Sequence, residues 1–512
     1  MKKLITLLLA VLCISVVSAQ KNKVNLKKLD QYYAKMVQDW DVPSAVIGIV
    51  KDGALVFTGS YGVKEVGKTE APNSRTNYAI ASNSKAFTSA MLGMLVDEGR
   101  LNWNDKVRDI LPYFALYDSW VTDHVTIRDL LSHRTGLGTY NGDVIWYKST
   151  LSAEEIVKRV RYLPNAYEFR AGYGYSNVMY ITAGEVIRAV TGKSWAENVK
   201  TRIFQPLGMS TSLTSPKKFT EDSNFATPHA RENGINLPIS WVDWEEIGAL
   251  GGVISNVEDL SKWMIMNLNN GVYGVNKDTL FSPTTRNMVW TPHNNRHVDL
   301  TTKNDMDRHF NAYGLGWGIS DYRGKLRVGH TGGYDGMITA ITLLPDENLG
   351  IVVLTNGMKS PIMAATYYGL DQFLGVESVD WSAKLLKGRD DADKKDTRVS
   401  DREAQRVLGT RPSLELSNYA GQYHAAIYGN ITITKEGDQL KMTFEHSPDL
   451  SATLTHWHYD VFKINWDVRH AWFDFGTVQF SLDNNIKVKK IIFDVPNDDI
   501  FFEELHPIRV ED

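Results

Sequence analysis

Between Lys387 and Arg406 the chain reads KGRDDADKKDTRVSDREAQR, well over half of it charged and almost without large apolar residues. No hydrophobic core continues through such a stretch. It is a solvated linker or an exposed helix, and either way it separates two folding units. With 512 residues the chain has room for two, because single cores above about 300 residues are uncommon.

Ahead of this break the texture is mixed. VNLKKLDQYYAKMVQDW places Leu26, Leu29, Tyr33, Met36 and Val37 at helical spacing. AVIGIV and LVFTGSYG flank Lys51-Asp52-Gly53-Ala54, a hairpin with Asp-Gly in the turn. Matching strand-like runs return only at Lys325 to Val328, Met337 to Leu344 and Gly350 to Thr355. The span between reads mostly helical, with capping boxes expected at Ser152/Glu155 and Ser255/Glu258. Early and late strands around a helical middle predict one α/β unit closed by its own ends, over residues 20–380. Residues 381–412 form the charged linker. Beyond it, NITITKEGDQLKMTFE, YDVFKINW and VQFSLDNNIKVKKIIFDV alternate with turn residues, which predicts a separate all-β domain over 413–512.

The first nineteen residues, MKKLITLLLAVLCISVVSA, have two lysines, an apolar run and a small-residue end, the pattern of a secretory signal cleaved before Gln20. The apolar run Leu4 to Val17 is shorter than the roughly 20 residues a membrane-spanning helix needs. An exported protein, periplasmic or extracellular, is expected. The one cysteine, Cys13, lies inside this signal, so the processed chain offers no disulfide and no thiol for catalysis or metal binding. The formal charge of −4 is spread over interspersed acids and bases, which argues against a nucleic-acid or membrane-surface partner.

Chemistry concentrates at three places. In IASNSKAFTSAM, Ser82 lies three residues before Lys85 at the start of a helical run in which Phe87, Met91, Leu92, Leu95 and Val96 form an apolar face before Gly99. A serine hydroxyl needs a base, and a lysine serves as one only where burial or neighbouring cations lower its pKa. The same spelling recurs at Ser215 to Lys218, but TSPKKFTED has no helical apolar pattern behind it. The second place is GYGYSNVMYITAGEVI, where Tyr175 and Asn177 precede a helix. A tyrosine hydroxyl near an ammonium exchanges protons, and an asparagine amide orients a carbonyl. The third, LRVGHTGGYDGMITAITLL, sets His330-Thr331-Gly332-Gly333 at a strand end, where glycines allow close backbone approach and free an N–H for an oxyanion hole.

Ser82-x-x-Lys85, Tyr175-x-Asn177 and His330-Thr331-Gly332, in that order, resemble the three motifs of the class C β-lactamase and penicillin-binding-protein superfamily of serine hydrolases. VTIRDLLSHRTGL, FQPLGM and GALGGVISNVEDLSKW also resemble stretches typical of that family, and the likeness covers about residues 25 to 375. The resemblance implies an antiparallel sheet flanked by helices plus an all-helical lobe, with the site in the groove between. It implies Ser82 as acylated nucleophile, Lys85 as its proton acceptor or relay, and Tyr175 as base and then acid for the leaving group. Asn177 would hold the substrate carbonyl, and the N–H groups of Ser82 and Gly333 would form the oxyanion hole. No cofactor or metal is implied. The substrate is a peptide or small molecule whose peptide, amide or ester bond is cleaved. β-Lactamases of this type usually carry lysine where this chain has His330, a residue mostly neutral at pH 7 unless an acid raises its pKa. Relatives with histidine there are mostly peptidases, amidases and esterases. Two alternatives remain: a β-lactamase or D-Ala-D-Ala carboxypeptidase, and a non-catalytic binder of cell-wall peptides.

In the β module, Tyr419 to Ile492 resembles a β-barrel-like (lipocalin-like) domain of unknown function often appended to such hydrolases. There His456, His458 and Asp460 fall at strand spacing and could ligate one metal. The competing reading is a polar outer face with Trp457, Tyr459 and Val461 or Phe462 packed inward.

Overall fold

The computed structural model describes residues 24–300 and 305–511. The expected signal, residues 1–19 with Cys13, lies outside them.

Helix α1 (Leu26–Asp39) buries Leu29, Tyr33, Met36 and Val37, while Leu26 stays exposed. The hairpin follows as β1 (Ser44–Lys51) and β2 (Ala54–Gly62). Six later strands complete an antiparallel sheet: β3 (Asn294–Arg296), β4 (Asn311–Tyr313), β5 (Gly318–Tyr322), β6 (Lys325–Tyr334), β7 (Met337–Leu344) and β8 (Leu349–Thr355). Their spatial order is β2-β1-β8-β7-β6-β5-β4-β3. The chain's own ends therefore close the sheet, with Ala45 opposite Thr355 and Val50 opposite Gly350.

Alternation along β1 shows why both faces are covered. Ala45, Ile47 and Ile49 pack with α1 and with α5 (Ile362–Leu374), whereas Val46 and Val50 face the helical lobe. A sheet apolar on both sides needs helices on both sides. On the lobe face α2 (Lys85–Asp97) packs with α3 (Asn177–Thr191), and α4 (Val257–Leu268) lies against β1 and β8. Helix α2 is buried almost all round rather than along one face.

The capping box at Ser152 and Glu155 is present. The one expected at Ser255 is not. Asn256 caps α4 instead, accepting from the Asp259 N–H, while Ser255 pairs in a short strand with Tyr78 and Glu258 accepts from Ser74. Asparagine caps as well as serine does, and the strand holds Ser255 one residue too early.

The charged segment is helical, as α6 (Trp381–Lys395) and α7 (Arg398–Ala404). Lys387–Asp391 and Arg389–Asp393 pairs run along its exposed face. Its first turn is anchored, because Trp381 is buried and donates from Nε1 to Asp371 of α5 at 2.7 Å.

Eight strands then form a closed barrel: β9 (Gly421–Ala425), β10 (Gly429–Glu436), β11 (Gln439–Phe444), β12 (Ser447–His458), β13 (Val461–Trp466), β14 (Thr477–Leu482), β15 (Val488–Asp494) and β16 (Ile508–Arg509). Ile431/Ile433, Leu440/Met442/Phe444 and Phe462/Ile464 fill it at period two. A register shift between His456 and His458 breaks that period. In consequence Tyr459 turns outward, 55% exposed with a φ of +45°, contrary to its expected inward packing, while Trp457 and Phe462 are buried. The three polar residues are engaged separately. His456 Nε2 meets the Tyr459 carbonyl, His458 Nδ1 accepts from the Val407 N–H, and Asp460 accepts from Ser413 and Tyr419. Among the described residues no group of three His, Cys, Asp or Glu is placed to hold a metal, and no helix is long and apolar enough to cross a membrane.

Candidate active site

Ser82 sits in a single 3-10 turn, Ala81–Ser84, between the short strand Tyr78–Ala79 and the start of α2. Ala81 has a φ of +46°, a left-handed conformation costing an alanine roughly 1–3 kcal/mol. The surroundings fix this turn. Asn83 Nδ2 donates to Thr339 Oγ1 on β7 at 3.0 Å, and Thr339 Oγ1 donates to the Ile80 carbonyl at 3.1 Å.

Lys85 opens α2 and is fully buried. Its Nζ lies 2.7 Å from Asn177 Oδ1, 2.8 Å from the Leu250 carbonyl and 3.0 Å from Ser82 Oγ. Burial pushes its pKa from 10.5 down to about 7, against the opposing pull of Asp143. Two oxygens that only accept take two N–H groups. The third direction of Nζ therefore faces Ser82, where an ammonium presents a proton and a neutral amine presents its lone pair.

Asn177 is the first residue of α3, whose N-cap is Ser176. Its Oδ1 accepts from Lys85 and its Nδ2 donates to Asp143 Oδ2 at 2.7 Å, which fixes the amide's orientation. Asp143, also fully buried, accepts from Trp146 Nε1 at 2.8 Å, and burial raises its pKa well above the usual carboxylate range. Replacing Asp143 with asparagine removes one of these two acceptors and lets the Asn177 amide turn its N–H groups toward Lys85. Asp143→Asn is expected to lower kcat/KM about 10- to 100-fold with little change in Tm, read by ester kinetics and thermal unfolding.

Tyr175 lies against Lys85, with Nζ 4.8 Å from its ring centre, and its hydroxyl is hydrogen-bonded to Ser82. Burial raises the phenol well above 10 and the bond to Ser82 opposes this. Tyr175 is thus a neutral hydroxyl at physiological pH.

His330 to Gly333 lie inside β6, which runs unbroken to Tyr334, not at a strand end. A β-carbon at Gly332 would come 2.1 Å from the Ile80 carbonyl, so only glycine lets the strand lie this close to the serine turn. His330 Nδ1 contacts the Thr331 carbonyl, which assigns the proton to Nδ1. The bare Nε2 then accepts from the Tyr313 hydroxyl at 2.8 Å. Burial first, then the charges of Lys85 and Arg296, depress His330 to about 3. It remains neutral far below its ordinary value, and no acid raises it.

A cavity of about 650 Å³ opens over this set. Ser82, Tyr175, Asn177, His330, Thr331, Gly332 and Gly333 all line it, and Lys85 lies beneath its floor. The decoy pair is elsewhere, since Ser215 donates to Asp243 and Lys218 reaches Thr214 and Glu245. Sequence reading missed Asp143, Tyr313 and His133. His133, buried with a φ of +58°, accepts the Ser176 N–H at 3.0 Å and lies 4.3 Å from the Tyr175 ring. The only hint of it was SHRTGL, read as a family flank.

The barrel forms part of the cavity wall through Trp472 and Asp499. A β-carbon at Gly333 would lie 2.8 Å from the Trp472 ring. The seat is polar and buried. Tyr147 donates to Asp335 at 2.8 Å and lies 3.2 Å from His470 Nδ1, Ser447 donates to the Tyr147 carbonyl, and Gly142 N–H donates to Glu504 at 2.8 Å.

Residues 29–373 match the family described as Beta-lactamase, and residues 405–507 match one described as Domain of unknown function (DUF3471). The chain is 29% identical over 433 residues to the protein named Unguisins hydrolase ungD' of Aspergillus campestris, spanning 79% of this chain and 78% of that one. The octameric penicillin-binding protein homologue from Pyrococcus abyssi has a similar structure, with a TM-score of 0.60 at 21% identity over 94% of this chain and 99% of that one. A D-stereospecific amidohydrolase from Streptomyces sp. has a TM-score of 0.53 at 22% identity, covering 67% and 98%. At these identities the two solved structures speak to the fold alone.

Proposed function

Because the chain belongs to the Beta-lactamase family of hydrolases, we propose that it is a serine hydrolase working through an acyl-enzyme on Ser82. The observation that carries this reading is the Lys85 amine, buried, 3.0 Å from Ser82 Oγ and depressed to about 7. In its neutral form Lys85 takes the Ser82 proton as Oγ attacks the substrate carbonyl. Asn177 holds the carbonyl-bearing portion, and the N–H groups of Ser82 and Gly333 stabilise the oxyanion. Tyr175, protonated and bonded to Ser82, passes a proton to the leaving group as its bond to the carbonyl carbon breaks. Lys85 replenishes that proton. Water then attacks the acyl carbon by the reverse relay and frees Ser82.

The scissile bond is a peptide, amide or ester. A neutral His330 beside Thr331 ranks β-lactam or D-Ala-D-Ala hydrolysis behind these. Residues 1–19 support an exported, periplasmic or extracellular enzyme. A fluorophosphonate followed by peptide mass spectrometry tests the reading. An adduct on the Ser82 peptide is expected, and no adduct, or equal labelling of Ser82→Ala, refutes it.

A further inference from the structure

Asp143, which fixes Asn177 against Lys85, stands on an irregular segment. From Tyr140 to Thr150 the chain carries three left-handed residues, Tyr140 (φ +63°), Gly142 (φ +84°) and Lys148 (φ +48°), around the short helix Asp143–Trp146. Tyrosine and lysine keep such a conformation only where their surroundings over-determine it. The hydrolase domain supplies part of that hold. The Tyr140 N–H donates to the Tyr175 carbonyl at 2.8 Å, and Tyr147 donates to Asp335 at 2.8 Å.

Further bonds come from the barrel. Ser447 donates to the Tyr147 carbonyl at 3.1 Å, and the Thr150 N–H donates to the His446 carbonyl at 2.7 Å. Glu504 grips the other end, its Oε2 accepting the Gly142 N–H at 2.8 Å and its Oε1 accepting from Asn141 Nδ2. Gly142 is the N-cap of the helix that Asp143 opens, so one carboxylate holds the two residues that precede Asp143. Glu504 is itself fixed. It lies in a single 3-10 turn, Phe502–Leu505, whose Phe502 and Leu505 are buried in the hydrophobic core. Burial raises Glu504 to about 7, although both of its bonds favour the charged form. An apolar side chain would serve barrel packing better than a carboxylate placed at such a cost to its ionisation. From Glu504 the contacts run through Asn141 and Gly142 to Asp143, from Asp143 Oδ2 to Asn177 Nδ2, and from Asn177 Oδ1 to Lys85 Nζ.

We propose that Glu504 of the barrel is a positioning residue for catalysis: by holding Asn141 and Gly142 it keeps Asp143 on Asn177, and so keeps the Asn177 carbonyl on Lys85. The β domain is thereby part of the catalytic unit. This role rests on the hydrolase reading, and the experiment tells the two apart. The rate of fluorophosphonate labelling at Ser82 and kcat/KM on p-nitrophenyl acetate are measured well above pH 7, where Glu504 is ionised and Lys85 neutral. Glu504→Ala is expected to lower both about 10- to 100-fold. Glu504→Gln should stay within about threefold of wild type, because Asn141 can turn its amide to accept from the glutamine N–H while the glutamine oxygen keeps Gly142. Adding Glu504→Ala to Asp143→Asn should cost no more than about a further twofold, since the two act at one point. Arg469→Ala, which removes the barrel's exposed ion pair with Glu232, should leave both rates unchanged. Hydrogen exchange of the peptide 139–147 should quicken in Glu504→Ala and not in Arg469→Ala. Wild-type rates or unchanged exchange in Glu504→Ala overturn the positioning role. So do losses that multiply with those of Asp143→Asn, or an equal loss in Arg469→Ala, the mark of a barrel that has simply undocked. Near-UV circular dichroism checks folding, and Glu504→Met, which fills the same space, replaces Glu504→Ala if the latter unfolds. A wild type that takes no phosphonate loses the hydrolase reading, and hydrogen exchange then decides whether Glu504 holds the Asp143 segment.

Discussion

Ser82→Ala is expected to lower kcat about 10⁴- to 10⁶-fold on any ester or amide the protein turns over, while Tm stays within a few degrees. The substitution removes one oxygen from a half-buried turn. The turn is held by Asn83, Thr339 and Ile80, none of which needs that oxygen. Lys85 keeps two of its three partners, Asn177 and Leu250. Loss of rate without loss of fold is thus the signature of a nucleophile. Steady-state kinetics paired with thermal unfolding reads both, and a residual rate within tenfold of wild type would place the nucleophile elsewhere.

Lys85→Met is expected to cost about 10²- to 10⁴-fold in kcat/KM, the span of a positioned general base. Its pH signature is more specific. In the proposed mechanism the neutral amine is the active form, so kcat/KM of the wild type should rise with pH through about 7 and then level off. His330, neutral throughout, adds no second limb between pH 5 and 8, and Tyr175, raised well above 10, adds no alkaline limb in the physiological range. Stability should follow the same group. The folded value of about 7 lies below the unfolded 10.5, so between these values the unfolded chain binds the extra proton and stability rises with pH. Below about pH 7 both states are charged and the burial penalty is felt in full. Lys85→Met should flatten that slope between pH 7 and 10. An acid limb far from 7, or an unchanged stability slope in the variant, counts against Lys85 as the base.

Much of this site was readable because its chemistry is spelled in short strings. Ser82 and Lys85 are three residues apart, Tyr175 and Asn177 two, and His330 to Gly333 adjacent. Local spacing plus an apolar helix behind Lys85 sufficed to single them out. Asp143 and Tyr313 carry no such signal: Asp143 opens a four-residue helix of the lobe and reaches the site through Asn177, and Tyr313 meets it only when the short outer strands β4 and β5 pair with β6. The electrostatics were half legible. Lys85 needs burial to be a base, and the helix pattern implied burial. Nothing in the string HTGG shows that burial beside Lys85 and Arg296 would hold His330 neutral. Misreadings came from one-residue ambiguities: a strand that keeps Ser255 out of the cap, and a register shift that turns Tyr459 outward.

The pairing of β1 with β8 also sets a timetable for synthesis. Val46 finds Leu354 across the sheet, so the most apolar early strand leaves the ribosome long before its partner exists. At about 5–20 residues per second, roughly 15 seconds to a minute separate the two. During that interval the β1–β2 hairpin presents an unpaired hydrophobic edge, the kind of surface that seeks other chains. Nascent chains halted before Leu349 should therefore be insoluble or held by chaperones, and solubility should appear abruptly once β8 has emerged.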